Sequence, residues 1–254
     1  MELFTISPDF DLNWIDWLLI LFAALIVGLA KAGIKGIGIF FVTIMALVFG
    51  GKASTGIVMP LLVVGDIFAV VYYNRHTQWR YLRHLLPWMI LGVLLGVWIG
   101  KDLPEELFKK AMAFIILSTV GMMFWWEKRK IQYIPDNWWF AGIMGMTAGF
   151  TTMIGNLAGP IANIFFLAMR LPKNDFIGTA AWLFFIINLF KIPFHVFVWR
   201  TINPETLAVN LRLIPAIALG LFAGVYLVKL IREAHYRHLI LLLTALGAVI
   251  IMFK

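Results

Sequence analysis

The chain has no cysteine and few charges: only 13% of its 254 residues are Asp, Glu, Lys or Arg, against about 25% in a soluble globular domain. Missing thiols exclude disulfides and thiolate metal sites, although they fix no compartment. Missing charge excludes a full water-facing shell, because 62% of the residues are hydrophobic and the mean hydropathy is +0.92. There is no alternation of polar and apolar residues over roughly 10-residue segments, so a β-barrel is not expected. No ATP-binding motif occurs, and the five histidines show no metal-ligand spacing; neither a metal nor a cofactor is expected. Met1–Asp16 carries Glu2, Asp9, Asp11 and Asp16 but no Lys or Arg, the wrong sign for a secretory signal peptide.

What the chain does have is a series of apolar runs. Leu85–Gly100, Ala111–Trp126 and Leu239–Phe253 are almost free of charge, and Gly56–Tyr73 and Phe176–Trp199 carry one or two charged residues. Runs near 20 residues match a hydrocarbon core of about 30 Å. Lipid offers no hydrogen-bond partners, so the spans should be helical. The expected fold class is all-α, a polytopic integral membrane protein with residues 1–254 in one transmembrane domain. The net charge of +8 then reads as basic loops holding topology, not as a nucleic-acid surface. Two Gly-x3-Gly steps, Gly92/Gly96 and Gly220/Gly224, suit close helix contact. They point to packing within the chain more than to a homodimer, which stays open.

The two halves resemble each other. Pro87-x4-Gly92-x3-Gly96-x4-Lys101 recurs 128 positions later as Pro215-x4-Gly220-x3-Gly224-x4-Lys229. Nearer the start of each half the offset is 122, pairing Gly33 with Gly155, Gly56 with Gly178, and Asp66 with Asn188. The repeats are expected at 14–126 and 138–253, a common plan for transporters. Each opens with a broken apolar stretch. Trp14–Ala30 and Ile37–Phe49 flank Lys31–Gly36; Trp138–Phe150 and Leu157–Met169 flank Thr151–Asn156. Each stretch is either one kinked span or a hairpin that returns to its own side. Lys and Arg counts favour the hairpins: they put eleven loop cations on one side and seven on the other, whereas single crossings divide the same residues nine and nine. The repeats are therefore expected to be inverted, with the N-terminus outside.

Chemistry is sought at the breaks. An ammonium at the centre of a membrane helix costs about 2.5–3.5 kcal/mol on insertion scales, so Lys31 and Lys35 should face protein, water or an anion. Gly33 and Gly36 would let a ligand reach the backbone, and the new half-helix offers its positive end. At the second break, Gly155, Asn156 and Gly159 mirror this arrangement. Asn156, Thr151 and Thr152 can donate hydrogen bonds to an oxyanion, or cap the broken helix themselves. Asp66 and Lys191 lie deep in later spans. They are read either as a fixed ion pair or, with Asn188 and His195, as a coupling and gating network through which a proton passes.

The residues Met153-Ile-Gly-Asn-Leu-Ala-Gly-Pro160, Leu171-Pro-Lys173, Phe176-Ile-Gly-Thr179 and Asn188-Leu-Phe-Lys-Ile-Pro193, together with the duplication, resemble the sulfite exporter TauE/SafE family. The resemblance covers nearly the whole chain and is more specific in the second half. It implies a bacterial inner-membrane permease for sulfite, an organosulfonate or a related oxyanion. Many members carry a run of glycines where this chain reads Lys31-Ala-Gly-Ile-Lys-Gly-Ile-Gly38, and the two lysines point to a more highly charged anion. The expected partners are a small anionic solute, the lipid bilayer, and a coupling proton or sodium ion. The competing readings are an intramembrane enzyme, for which no nucleophile or metal cluster stands out, and a non-catalytic membrane assembly subunit.

Overall fold

The computed structural model describes residues 12–129, 138–232, 235–236, 238–240 and 242–243. Among them every regular element is helical. The order is α1 (Trp14–Lys31), α2 (Gly38–Phe49), α3 (Gly51–Tyr73), α4 (Trp79–Gly100), α5 (Glu105–Arg129), α6 (Trp138–Gly155), α7 (Ala158–Ala168), α8 (Lys173–Pro193) and α9 (Pro204–Leu230). A 3-10 turn over Asn74–His76 follows α3, and a π-helical turn over Phe194–Val198 follows α8. Five of these helices, α1, α3, α4, α8 and α9, are long and apolar enough to cross a bilayer. The last apolar run, Leu239–Phe253, falls mostly outside the described residues.

Local chemistry sets the ends. Asn13 caps α1 by accepting from the Ile15 and Asp16 amides, and the Asp16 carboxylate accepts in return from the Asn13 amide. Asn203 and Thr206 make the corresponding reciprocal cap on α9, with Pro204 in its first turn. The first break comes from glycine. Gly33 sits at φ +125°, and the Ile34 amide reaches back to the Leu29 carbonyl at 3.1 Å, which is how a left-handed residue closes a helix end. At the second break Asn156 takes the left-handed position, φ 55°. This break is shorter than the sequence suggests. Thr151 and Thr152 belong to the last turn of α6, and the Thr151 hydroxyl donates to the Ala148 carbonyl, so a polar pair expected in an unwound turn is helical.

Two close seams organise the helices. A Cβ at Gly28 would lie 2.2 Å from the Ile217 carbonyl oxygen, and one at Gly220 would lie 2.2 Å from that of Leu25. Gly224 sits over Ala32, so α1 and α9 run side by side in the same direction. The α4/α6 seam is alike: Gly149 abuts the Met89 carbonyl, Gly92 that of Met146, and Gly96 the Met153 side chain. The sequence's small-residue steps are thus contacts within the chain. Between the seams α3 packs on α8. Gln78 and Asp175 join the end of α3 to the start of α8 by a 2.7 Å hydrogen bond. At the other end Glu105 accepts from the Gly51 and Lys52 amides, tying α5 to the start of α3.

Candidate functional site

The chain hides four charged side chains in its apolar interior among the described residues: Lys31, Lys35, Asp66 and Lys191. Burial of an unpaired charge is expensive, so their partners matter. Lys31 Nζ donates to Asp66 Oδ1 at 2.5 Å, and Asn188 Nδ2 donates to the other carboxylate oxygen at 2.7 Å. Lys191 lies on the second break. Its ammonium donates to the Thr152 carbonyl at 2.7 Å, the Thr152 hydroxyl at 3.1 Å and Asn156 Oδ1 at 2.6 Å. All three of its protons therefore have neutral acceptors. Asn156 Nδ2 donates to the Thr55 carbonyl.

Lys35 has no such arrangement. Among the described residues no group accepts a hydrogen bond from its ammonium, which lies 6.0 Å from the centre of the Phe184 ring; Lys31 sits over the same ring at 5.2 Å. At 6.0 Å the ring face lies at the limit of cation–π range and supplies no hydrogen-bond acceptor. Three buried lysines thus share one buried carboxylate.

Lys35 borders a cavity of about 100 Å³ between the two breaks. Lys31, Gly36, Thr152, Asn156, Gly159 and Asn188 line it too, together with Asn163. The N-termini of α2 and α7 both open onto it, and neither has a side-chain cap. First-turn amides left this way favour an anion. A Cβ at Gly38 or Gly159 would meet nothing within 4 Å, and neither residue needs a positive φ. Glycine at these positions keeps the helix ends open to the cavity. Thr152 accepts from Lys191 and keeps its own hydroxyl proton to donate.

Residues 20–251 match the protein family described as Sulfite exporter TauE/SafE. The chain belongs to the TauE/SafE family. No curated protein and no solved structure matches it. As a TauE/SafE protein it is a multi-pass membrane transporter, and the five long apolar helices are in keeping with that.

This TauE/SafE chain departs from the sequence expectation at several residues. Asp66 does not meet Lys191: it pairs with Lys31, and Lys191 turns to the α6 end instead, where three oxygens already converge. Gly33 and Gly155 do not border the cavity. Gly33 packs on Ile177 and Val228, and Gly155 on Leu157 and Met112, so their role is to turn the backbone or admit a neighbour. His195 is also away from the cavity, with Nδ1 2.9 Å from the Thr201 hydroxyl and its ring against Trp199. Phe184 and Asn163 are cavity residues that escaped the sequence reading. Phe184 was one aromatic among many. Asn163 is the one polar side chain in Leu157–Met169, a signal that was present. Its Oδ1 is buried and has no partner among the described residues.

Proposed function

We propose that the protein is a secondary transporter that exports a small oxyanion, such as sulfite or an organosulfonate, across the bacterial inner membrane. The observation that carries this reading is the buried Lys35 ammonium, without a hydrogen-bond acceptor among the described residues, beside a cavity onto which two uncapped helix N-termini open. Lys35 supplies the charge. Thr152 and the amides near Gly36 and Gly159 supply hydrogen bonds. Asp66, held by Lys31 from α1 and Asn188 from α8, joins the elements that border the site, and a coupling proton or sodium ion acts there.

The two halves are inverted repeats with re-entrant first helices, α1–α2 and α6–α7. Several contacts support this. The Tyr73 hydroxyl donates to the Ala32 carbonyl, which sets the end of α1 beside the end of α3. Gly100 sets the end of α6 against the end of α4, where Trp199 and Ile154 meet it. Since a short turn joins α3 to α4, and Lys52 at the start of α3 donates to the Lys101 carbonyl at the end of α4, those two helices run in opposite senses, and so do α1 and α6. α2 returns to the start of α3, and α7 to the start of α8.

The test is ligand-dependent thermal stabilisation of the purified protein, because a ligand that prefers the folded state must stabilise it, by about 2.7 kcal/mol at one hundred times its Kd. Sulfite or a short organosulfonate is expected to raise the midpoint of the parent protein. Lys35→Gln is expected to remove that shift while leaving the unliganded midpoint unchanged or higher. An equal shift in the variant would sink the assignment of Lys35.

A further inference from the structure

A second hollow, of about 420 Å³, lies where α3 and α9 end and α8 begins, lined by Tyr72, Tyr73, His76, Lys173, Asn174, Val228 and Lys229. It is apart from the cavity between the breaks. These helices are three of the five candidate spans, and their shared ends put the hollow at the level of the lipid headgroups. Its charge is largely basic. Lys229 is exposed. Lys173 Nζ donates to the Ile231 carbonyl at 2.8 Å and lies 3.4 Å from that of Val228, which holds its ammonium at the α9 end. The first turn of α8 has no side-chain cap. Among the described residues, the Asp175 carboxylate in the first turn of α8 is shared between Gln78 and His76. Beside the hollow runs an exposed aromatic track: Tyr72 stacks on Phe68 at 5.9 Å, Phe68 meets Phe222 edge-on at 6.4 Å, and Phe222 and Tyr226 are exposed to the lipid side.

We propose that this hollow binds the headgroup of an anionic phospholipid, with an acyl chain along Phe68, Phe222 and Tyr226. Charge complementarity selects the occupant: the exposed Lys229 ammonium, set beside Lys173 and the first turn of α8 without a side-chain cap, suits a phosphate diester, and basic pockets between spans bind such headgroups. The track suits a hydrocarbon chain and has no use for a free phosphate. The hollow also touches the first break. Tyr73, in its wall, donates to the Ala32 carbonyl, and Val228, in the same wall, packs against Gly33. A seated headgroup therefore braces the turn that leads from Lys31 to Lys35.

The experiment measures thermal unfolding of the full chain in neutral detergent, titrated with phosphatidylglycerol, phosphatidylcholine or glycerol 3-phosphate. Phosphatidylglycerol is expected to raise the midpoint saturably, and the other two are not. Lys229→Gln is expected to weaken the apparent affinity for phosphatidylglycerol about fivefold, and Lys229→Arg to retain it. Lys229 is exposed, so both variants should fold. Phe222→Ala, on the exposed track, is expected to weaken it too. Equal shifts with phosphatidylcholine, an equal shift with glycerol 3-phosphate, or an unchanged affinity in Lys229→Gln would overturn the proposal. None of these readings depends on which anion the central cavity takes.

Discussion

Lys31, Lys35 and Lys191 are the same residue type in three different situations. Lys31 is neutralised by Asp66, Lys191 is solvated by protein oxygens, and Lys35 waits for a partner. Removing one member of a buried pair strands the other, at about 3–5 kcal/mol. Lys31→Met should therefore destabilise the protein by that order, and Lys31→Met with Asp66→Leu should recover much of the loss, read from denaturation midpoints. A double variant no more stable than the single would show that the pair contributes little. Asp66→Asn strands Lys31 and should lose stability to the same order, but should retain anion binding and remove the pH or sodium dependence of uptake into vesicles; unaltered coupling would dismiss Asp66 as the coupling site. The sequence could identify these residues but not their partners. Polar residues beside glycine in an apolar run advertise a break, which is why Lys35, Gly36, Thr152, Asn156 and Gly159 were legible. Which buried cation meets Asp66 depends on how α1 seats between α3 and α9, and spacing along the chain does not encode that.

At the scale of elements, glycine has two opposite uses. Gly38 and Gly159 face open space, whereas Gly28, Gly92, Gly149 and Gly220 touch another backbone. A methyl group should consequently have opposite effects. Gly159→Ala is expected to keep the unfolding midpoint within a degree or two while weakening anion binding about tenfold or more, since the new group enters the cavity. Gly149→Ala, whose Cβ would stand 2.0 Å from the Met89 carbonyl oxygen, is expected to cost about 1–3 kcal/mol by overpacking the α4/α6 seam. If both variants behaved alike, the distinction between an open helix end and a packing seam would fail. The break positions were only partly readable for a related reason. Thr151 satisfies its hydroxyl on the Ala148 carbonyl, so a residue that looks like a helix breaker stays helical.

For the whole molecule, the hairpin arrangement predicts sidedness. The chain has no cysteine, so single-cysteine variants report on a silent background. Arg75→Cys and Asn174→Cys should react with an impermeant maleimide from one face of the membrane, and Lys101→Cys from the other. If the first two react from opposite faces, the second broken stretch crosses once and the inverted arrangement is wrong. The seams have a consequence for synthesis as well. α6 emerges when its neighbour α4 is already made, and that seam can close at once. α1 emerges first but packs on α9, which begins at Pro204. Until then the Gly28 surface has no mate, and Lys31 lacks its carboxylate until Asp66 follows. The nascent chain therefore spends most of its translation with an unfinished first helix. A ribosome stalled before Pro204 should leave α1 loosely held in the membrane, open to extraction or proteolysis, and release of the last helices should abruptly protect it.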